Sequence, residues 1–125
     1  IAFTSDRTGT NALYVINADG GAARVLVREQ VDRPSWSATN VIAYTLAPDA
    51  GHKAIGLYDI ATGRATALTD GSFDCEHPSL SPNGRHIAFE TTRWGGHQIA
   101  VMDRTGANMR PITNAGENGY PSWQR

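Results

Sequence analysis

The feature that most limits what this chain can fold into is a self-similarity with a period near 43 residues. Pro34-Ser35-Trp36-Ser37 returns as Pro78-Ser79-Leu80-Ser81 and again as Pro121-Ser122-Trp123. Ile1-Ala2-Phe3 returns as Ile42-Ala43-Tyr44 and as Ile87-Ala88-Phe89. Ala18-Asp19-Gly20 returns as Ala61-Thr62-Gly63 and as Arg104-Thr105-Gly106. Three landmarks keep one order and one spacing, so the chain is built from a repeated unit.

Each unit reads as four short strands. The first is the Pro-Ser-Trp segment, near 34–37, 78–81 and 121–124. A tight turn follows, clearest at Ser81-Pro82-Asn83-Gly84, where Pro and Asn-Gly supply the backbone angles of a turn. The second strand is the Ile-Ala-Phe segment, for example His86 to Thr91. The third covers Ala12 to Asn17, Ala54 to Asp59 and Gln98 to Asp103. The fourth lies near Ala23 to Val27, Arg64 to Leu68 and Met109 to Thr113. The runs are rich in β-branched and aromatic residues, as strands require. Four strands in about 43 residues is the pattern of a β-propeller blade. A blade hides its two faces only by stacking on neighbours, which explains adjacent apolar residues such as Leu13-Tyr14-Val15-Ile16. The fold class is all-β, with three four-stranded antiparallel blades spanning residues 1–125 as one propeller segment.

Composition then removes several functions. The 125 residues carry a formal net charge of -1, and the arginines are scattered, so a nucleic-acid grip is not expected. Apolar stretches are only a few residues long, which excludes a transmembrane helix, so membrane insertion is not expected. Cys75 is the single cysteine, so no internal disulfide forms.

Pro34-Ser35-Trp36-Ser37, Ser81-Pro82-Asn83-Gly84, Ile1-Ala2-Phe3-Thr4-Ser5-Asp6-Arg7 and Leu13-Tyr14-Val15-Ile16-Asn17-Ala18-Asp19-Gly20 resemble the TolB-type propeller repeat. The resemblance covers essentially the whole chain. It implies a six-bladed ring, of which three blades are half. Relatives of this type include periplasmic domains that bind partner proteins of the cell envelope, gating domains of peptidases, and lyases whose propeller carries the active site. The resemblance therefore leans towards the periplasm or cell surface. The second repeat departs from the pattern, with Ala38-Thr39-Asn40 at the turn and an enlarged loop from Leu46 to His52.

In a propeller the first strand of each blade lies nearest the axis. The residues just before the repeated prolines, Arg33, His77 and Tyr120, and those one earlier, Asp32 and Glu76, are therefore expected at the channel mouth. Bulky, varied polar groups at a concave mouth suit recognition of a ligand or peptide, whereas solvated loop residues bridging blades are the plainer alternative. Asp74-Cys75-Glu76-His77 is the densest set of ligand-type side chains, with Cys75 and His77 on one side of an extended strand. A metal there needs further ligands from another blade, and neither a metal nor a cofactor is expected. Trp94 beside Arg93 stands in a loop where the other repeats have small polar residues, which suits a partner contact or a cover for its own blade. Trp36 and Trp123 occupy one blade position and are expected to pack between blades.

No Gly-x-Ser-x-Gly elbow, His-Glu-x-x-His or phosphate loop occurs, so no catalytic residues are assigned. The expected function is a non-catalytic scaffold for a protein or peptide. The alternative is a propeller enzyme, or enzyme-associated domain, acting on an acidic sugar or peptide through the channel. The first blade starts at a second strand, and a first-strand segment stands at 121–124. If the chain is complete, the terminal strands pair between two copies, and a cyclic homodimer supplies six blades.

Overall fold

A computed structural model describes residues 1–124, and Arg125, the last residue of the terminal repeat, lies outside the described residues. Eleven strands and no helix are found among the described residues. They form three antiparallel sheets. The first holds β1 (Ala2–Ser5), β2 (Ala12–Val15) and β3 (Arg24–Val27) in that order. The second holds β4 (Val31–Trp36), β5 (Val41–Leu46), β6 (Ala54–Asp59) and β7 (Arg64–Ala67). The third holds β8 (Cys75–Leu80), β9 (His86–Thr91), β10 (Gln98–Asp103) and the two-residue β11 (Arg110–Pro111). All three are up-and-down meanders, as the repeat requires. The first sheet lacks the strand that β4 and β8 supply to the others.

The blades are buried on both faces because their strands carry apolar residues at odd and even positions alike. In β5, Val41 and Ala43 join a core with Ile55, Leu80, Ile87, Phe89 and Met102 towards the third blade. Ile42 and Tyr44, of opposite parity, join Leu13, Val15, Val31 and Tyr58 towards the first. Period-two geometry thus sends one strand's side chains into two separate cores. Each fully buried Leu or Ile contributes about 1.5–3 kcal/mol relative to exposure. Truncating Ile42 or Phe89, both without measurable exposure, therefore costs several times any surface change. The outermost strand β7 is exposed throughout, so it closes the blade without adding core.

The turn at Ser81 to Gly84 forms as its sequence demands. Gly84 N donates to Ser81 O at 2.8 Å, and His86 N donates to Ser81 Oγ at 3.1 Å. Gly84 has φ +68°, and a Cβ there would strike Thr39 of the neighbouring blade's turn, so only glycine fits.

The structure moves the repeated prolines. They lie inside β4 and β8, not at their starts, because each inner strand carries a bulge. The pairing register shifts between Asp32 and Ser35 and between Glu76 and Ser79. At each shift the residue before proline is left-handed, with φ 52° at Arg33 and 53° at His77. Tyr120 repeats the conformation at φ 54°. A residue before proline is normally extended. Three such kinks at repeat-equivalent positions mark a built feature that re-aims a side chain.

Candidate functional site

The kinks aim Arg33, His77 and Tyr120 together. The rings of His77 and Tyr120 stack with centroids 4.3 Å apart and planes 18° apart. The Arg33 guanidinium carbon lies 5.5 Å from the centroid of the Tyr120 ring, within cation–π range. The three residues line one concavity with their prolines, and Asp32, Thr45, Lys53, Glu76 and Glu90 line the deeper part, about 380 Å³. A larger cleft of about 620 Å³ opens between the loops of the first two blades, lined by Glu29, Asp49 and His52 among others. The smaller concavity is the better candidate because its ionisable groups converge there and are held by defined partners.

Glu90 is the centre of that arrangement. It is buried in β9, with His77 Nδ1 2.9 Å from its Oε2 and His97 Nδ1 2.6 Å from its Oε1. The His97 contact is short but does not have hydrogen-bond geometry. Tyr120 N also approaches Glu90 Oε2, at 3.4 Å. Burial alone would push the Glu90 carboxyl up, but the partners His77, His97 and the Tyr120 amide outweigh it and hold the group below the usual carboxylate range. A Cβ on Gly119 would lie 2.5 Å from Glu90 Oε2, so the adjacent glycine gives this carboxylate its room.

Glu76 forms the opposite wall. Lys53 Nζ donates to its Oε2 at 2.6 Å, and His77 Nε2 lies 3.6 Å away. The Lys53 ammonium is held above its ordinary range, chiefly by that hydrogen bond. Simple strand alternation put Cys75 with His77 and Glu76 on the other side. The bulge overturns this pairing: Glu76 and His77 converge on the concavity, and Cys75 turns into the core, its Sγ 3.4 Å from Thr91 Oγ1. Burial pushes the Cys75 thiol up, so it is a packing group.

Glu76, His77 and Glu90 offer ligand atoms within 4.8 Å of one another, the spacing of a metal site. The donor set fits a cation poorly, because Lys53 already neutralises Glu76 and His77 is committed to Glu90. Of the remaining histidines, His52 pairs with Asp74 at 3.3 Å and His86 lies 3.4 Å from Asp103, away from the concavity.

Of the other expected contacts, Asp32 lines the concavity and the tryptophans lie outside its deeper part. Asp32 folds back on its neighbour, accepting the Arg33 N–H at 2.8 Å. Trp94 is 40% exposed with the Arg93 guanidinium 5.2 Å from its ring centroid, in a loop apart from the concavity. Trp36 is 37% exposed and less buried than interblade packing predicts. It flanks a cleft with Ile1 and Val15, where the first blade has no inner strand to cover it. Trp123 is half-buried, and its indole N–H donates to Ser79 O at 2.8 Å.

Lys53, Thr45 and Glu90 were not singled out from sequence. One signal pointed at Glu90. It follows Ile87-Ala88-Phe89 where the other repeats place Thr4 and Thr45. In the second blade the Thr45 hydroxyl accepts the His77 N–H at 3.1 Å, and in the third the carboxylate takes that place against Tyr120.

Comparison with known proteins agrees with this architecture. The model of the TolB beta propeller domain matches residues 1–125. The Tol-Pal system protein TolB of Nitrosospira multiformis is 33% identical over 70 residues, which are 55% of this chain and 16% of that protein. The structure of a putative TolB from Agrobacterium tumefaciens superposes with a TM-score of 0.83 at 28% identity, covering 91% of this chain and 42% of that one. TolB from Acinetobacter baumannii shares the fold, with a TM-score of 0.82 at 24% identity over 97% of this chain and 31% of its own. The chain thus spans less than half the length of each of these relatives. With three propeller blades and a family match along its whole length, the chain belongs to the TolB beta propeller domain family.

Proposed function

We propose that this chain is a non-catalytic scaffold that binds a protein or an extended peptide at the channel mouth, in the periplasm or at the cell surface. The observation that carries the reading is the column of Arg33, Tyr120 and His77. Three repeats present three different side chains at one kinked position, and they meet in a single cation–π and stacking array. Tyr120 is the central member of that array and is still 68% exposed, which suits it to anchor an incoming chain. Asp32, Glu76 and Glu90 set an acidic floor, balanced by Lys53 and Arg33, that orders polar contacts around the anchor. Scaffolding is favoured over catalysis because Glu76 and Glu90 are already bound by Lys53 and the histidines. Arg93 and Trp94 extend the contact to a partner's flank. Self-association through the terminal strands belongs to the same reading, since three blades line only part of a ring.

The test is photocrosslinking in the source cells. A photoreactive phenylalanine analogue replaces Tyr120 in one variant and Thr62, in a turn of the second blade outside the concavity, in another. A partner band specific to position 120 supports the reading. No band, or the same bands from both positions, contradicts it.

A further inference from the structure

We infer that the cleft between the loops of the first two blades is a second binding site, and that it takes a basic side chain, lysine or arginine, of a partner protein. This goes beyond the reading of the channel mouth and does not depend on it.

Three connections build the cleft, whose volume is about 620 Å³. Thr10 comes from the loop between β1 and β2, Glu29 and Gln30 from the connection between β3 and β4, and Asp49 from the enlarged loop between β5 and β6. Leu46 and Ala54, directly opposed across β5 and β6, give it an apolar base. Leu46 packs against the core that joins the first two blades, so this base is continuous with the interior. Gln30 laces the walls together. Its Oε1 accepts the Asn11 N–H at 3.3 Å, and its backbone O accepts the Ala47 N–H at 2.8 Å, which ties the loops of both blades to one residue. The cleft is therefore formed before a ligand arrives, and the ordering cost of binding is low.

Its charge is one-sided. Glu29 and Asp49 line it, and no lysine or arginine does. His52 also lines it, but the ring Nδ1 is 3.3 Å from Asp74. The other carboxylates of the chain are engaged within the fold. Asp19, Asp59 and Asp70 accept backbone N–H groups in turns, and Asp103 and Glu117 hold Asn108 and the His97 amide. Asp32, Asp74, Glu76 and Glu90 are bonded around the mouth and its neighbouring loops. Among the described residues, only Asp6, Glu29 and Asp49 have a side chain with neither a hydrogen bond nor an ion pair, and two of those three share this cleft.

A lysine or arginine side chain complements both properties. Its methylene stem covers apolar surface while its charged head stays at a polar rim. The stem lies on Leu46, Pro48 and Ala54, and the head reaches Glu29 and Asp49. An acidic side chain is repelled there, and an uncharged one leaves both carboxylates without a partner. A metal ion is the poorer occupant, because the metal-spaced group among the described residues is Glu76, His77 and Glu90 at the mouth and includes no residue of this cleft. The β5–β6 loop stands between the two concavities. Ala47 and Lys53 line the mouth, and their neighbours Pro48 and His52 line the cleft. A chain seated at the mouth reaches the cleft by crossing that one loop.

The test is an amide chemical-shift titration of the chain with acetylated, amidated tripeptides carrying lysine, arginine, norleucine or glutamate between two glycines. The lysine and arginine peptides should move the amides of Thr10, Gln30 and Asp49 to saturation. Norleucine keeps the stem without the charge and should bind several-fold more weakly, and the glutamate peptide should leave these amides in place. Glu29→Gln and Asp49→Asn should each weaken the lysine peptide by about two- to fivefold, the range of a single exposed ion pair. Both side chains are exposed, so both variants should fold with unchanged spectra away from the cleft. Equal binding of the norleucine and lysine peptides, unchanged binding in the double variant, or no movement of these amides with the lysine peptide overturns the proposal. Tyr120→Ala should leave the titration as it is in the parent, so this site and the mouth fail or stand separately.

Discussion

His77 and Tyr120 hold the same place in successive repeats, and their rings stack with centroids 4.3 Å apart. Nothing in the separate repeats requires that contact. It arises because each residue sits in a left-handed kink before proline, at φ 53° and 54°, so that the two rings are brought face to face. In the proposed reading, the stack is the point where the repeat turns into a binding site.

An aromatic pair of this kind is worth about 0.5–1.5 kcal/mol beyond its burial. Urea denaturation of His77→Ala, Tyr120→Ala and the double variant should give a coupling energy in the lower part of that range, since Tyr120 is 68% exposed. Additive effects would mean that the rings touch without stabilising one another.

Glu90 gives a pH dependence whose sign follows from its environment. Its folded carboxyl is held below the ordinary 4.5, because His77 and His97 outweigh the opposing effect of burial. Its contribution to stability is therefore complete above about pH 4.5 and declines as pH falls through the lowered folded value. Glu90→Gln keeps the shape and removes the charge. At pH 7 it should cost about 1–3 kcal/mol, and the difference from the parent should shrink on acidification. Thermal melts between pH 7 and pH 3 check this, and a difference that does not change with pH would contradict it.

Gly56 is a packing glycine in the middle of β6. A Cβ there would run into the Tyr44 ring, which is almost fully buried between the first two blades. Burial, with Glu29 nearby, pushes the Tyr44 hydroxyl up to about 12, so it stays neutral well into the alkaline range. Gly56→Ala should lower stability by about 1–3 kcal/mol, visible as a lower urea midpoint. A neutral effect would show that Tyr44 has room to move.

Cys75 should be chemically silent in the native protein. Its thiol is buried and pushed up, mainly by that burial. Reaction with a thiol reagent at pH 8 should be slow in buffer and should accelerate with urea along the unfolding curve. Rapid labelling without denaturant would contradict the packing described for β8.

Much of the fold was legible because the repeat displays it three times. The Ser81 to Gly84 turn, the four-strand unit and the apolar runs of β5 and β9 follow from residue types whose local physics leaves few alternatives. The site was legible only in outline. Arg33, His77 and Tyr120 were identifiable from their shared place before proline, although the strand begins earlier than that proline suggests. The bulge was hidden, because a left-handed residue before proline goes against local preference, and its amide is held by partners such as Thr45 for His77 and Glu90 for Tyr120 that are distant in sequence. Glu90 was hidden for a related reason. It is a single departure at a position held elsewhere by Thr4 and Thr45, and its meaning depends on His77, His97 and Tyr120 arriving from other strands and loops.

The central claim is that the Arg33–Tyr120–His77 column is a binding surface. The most direct measurement is calorimetric titration of a peptide selected from a random displayed library against the parent chain, repeated on Tyr120→Ala and on Thr62→Ala. Binding should weaken about tenfold or more in Tyr120→Ala, as expected for an aromatic anchor worth more than about 1.4 kcal/mol, and should be unchanged in Thr62→Ala. Equal affinity for all three proteins would contradict the account.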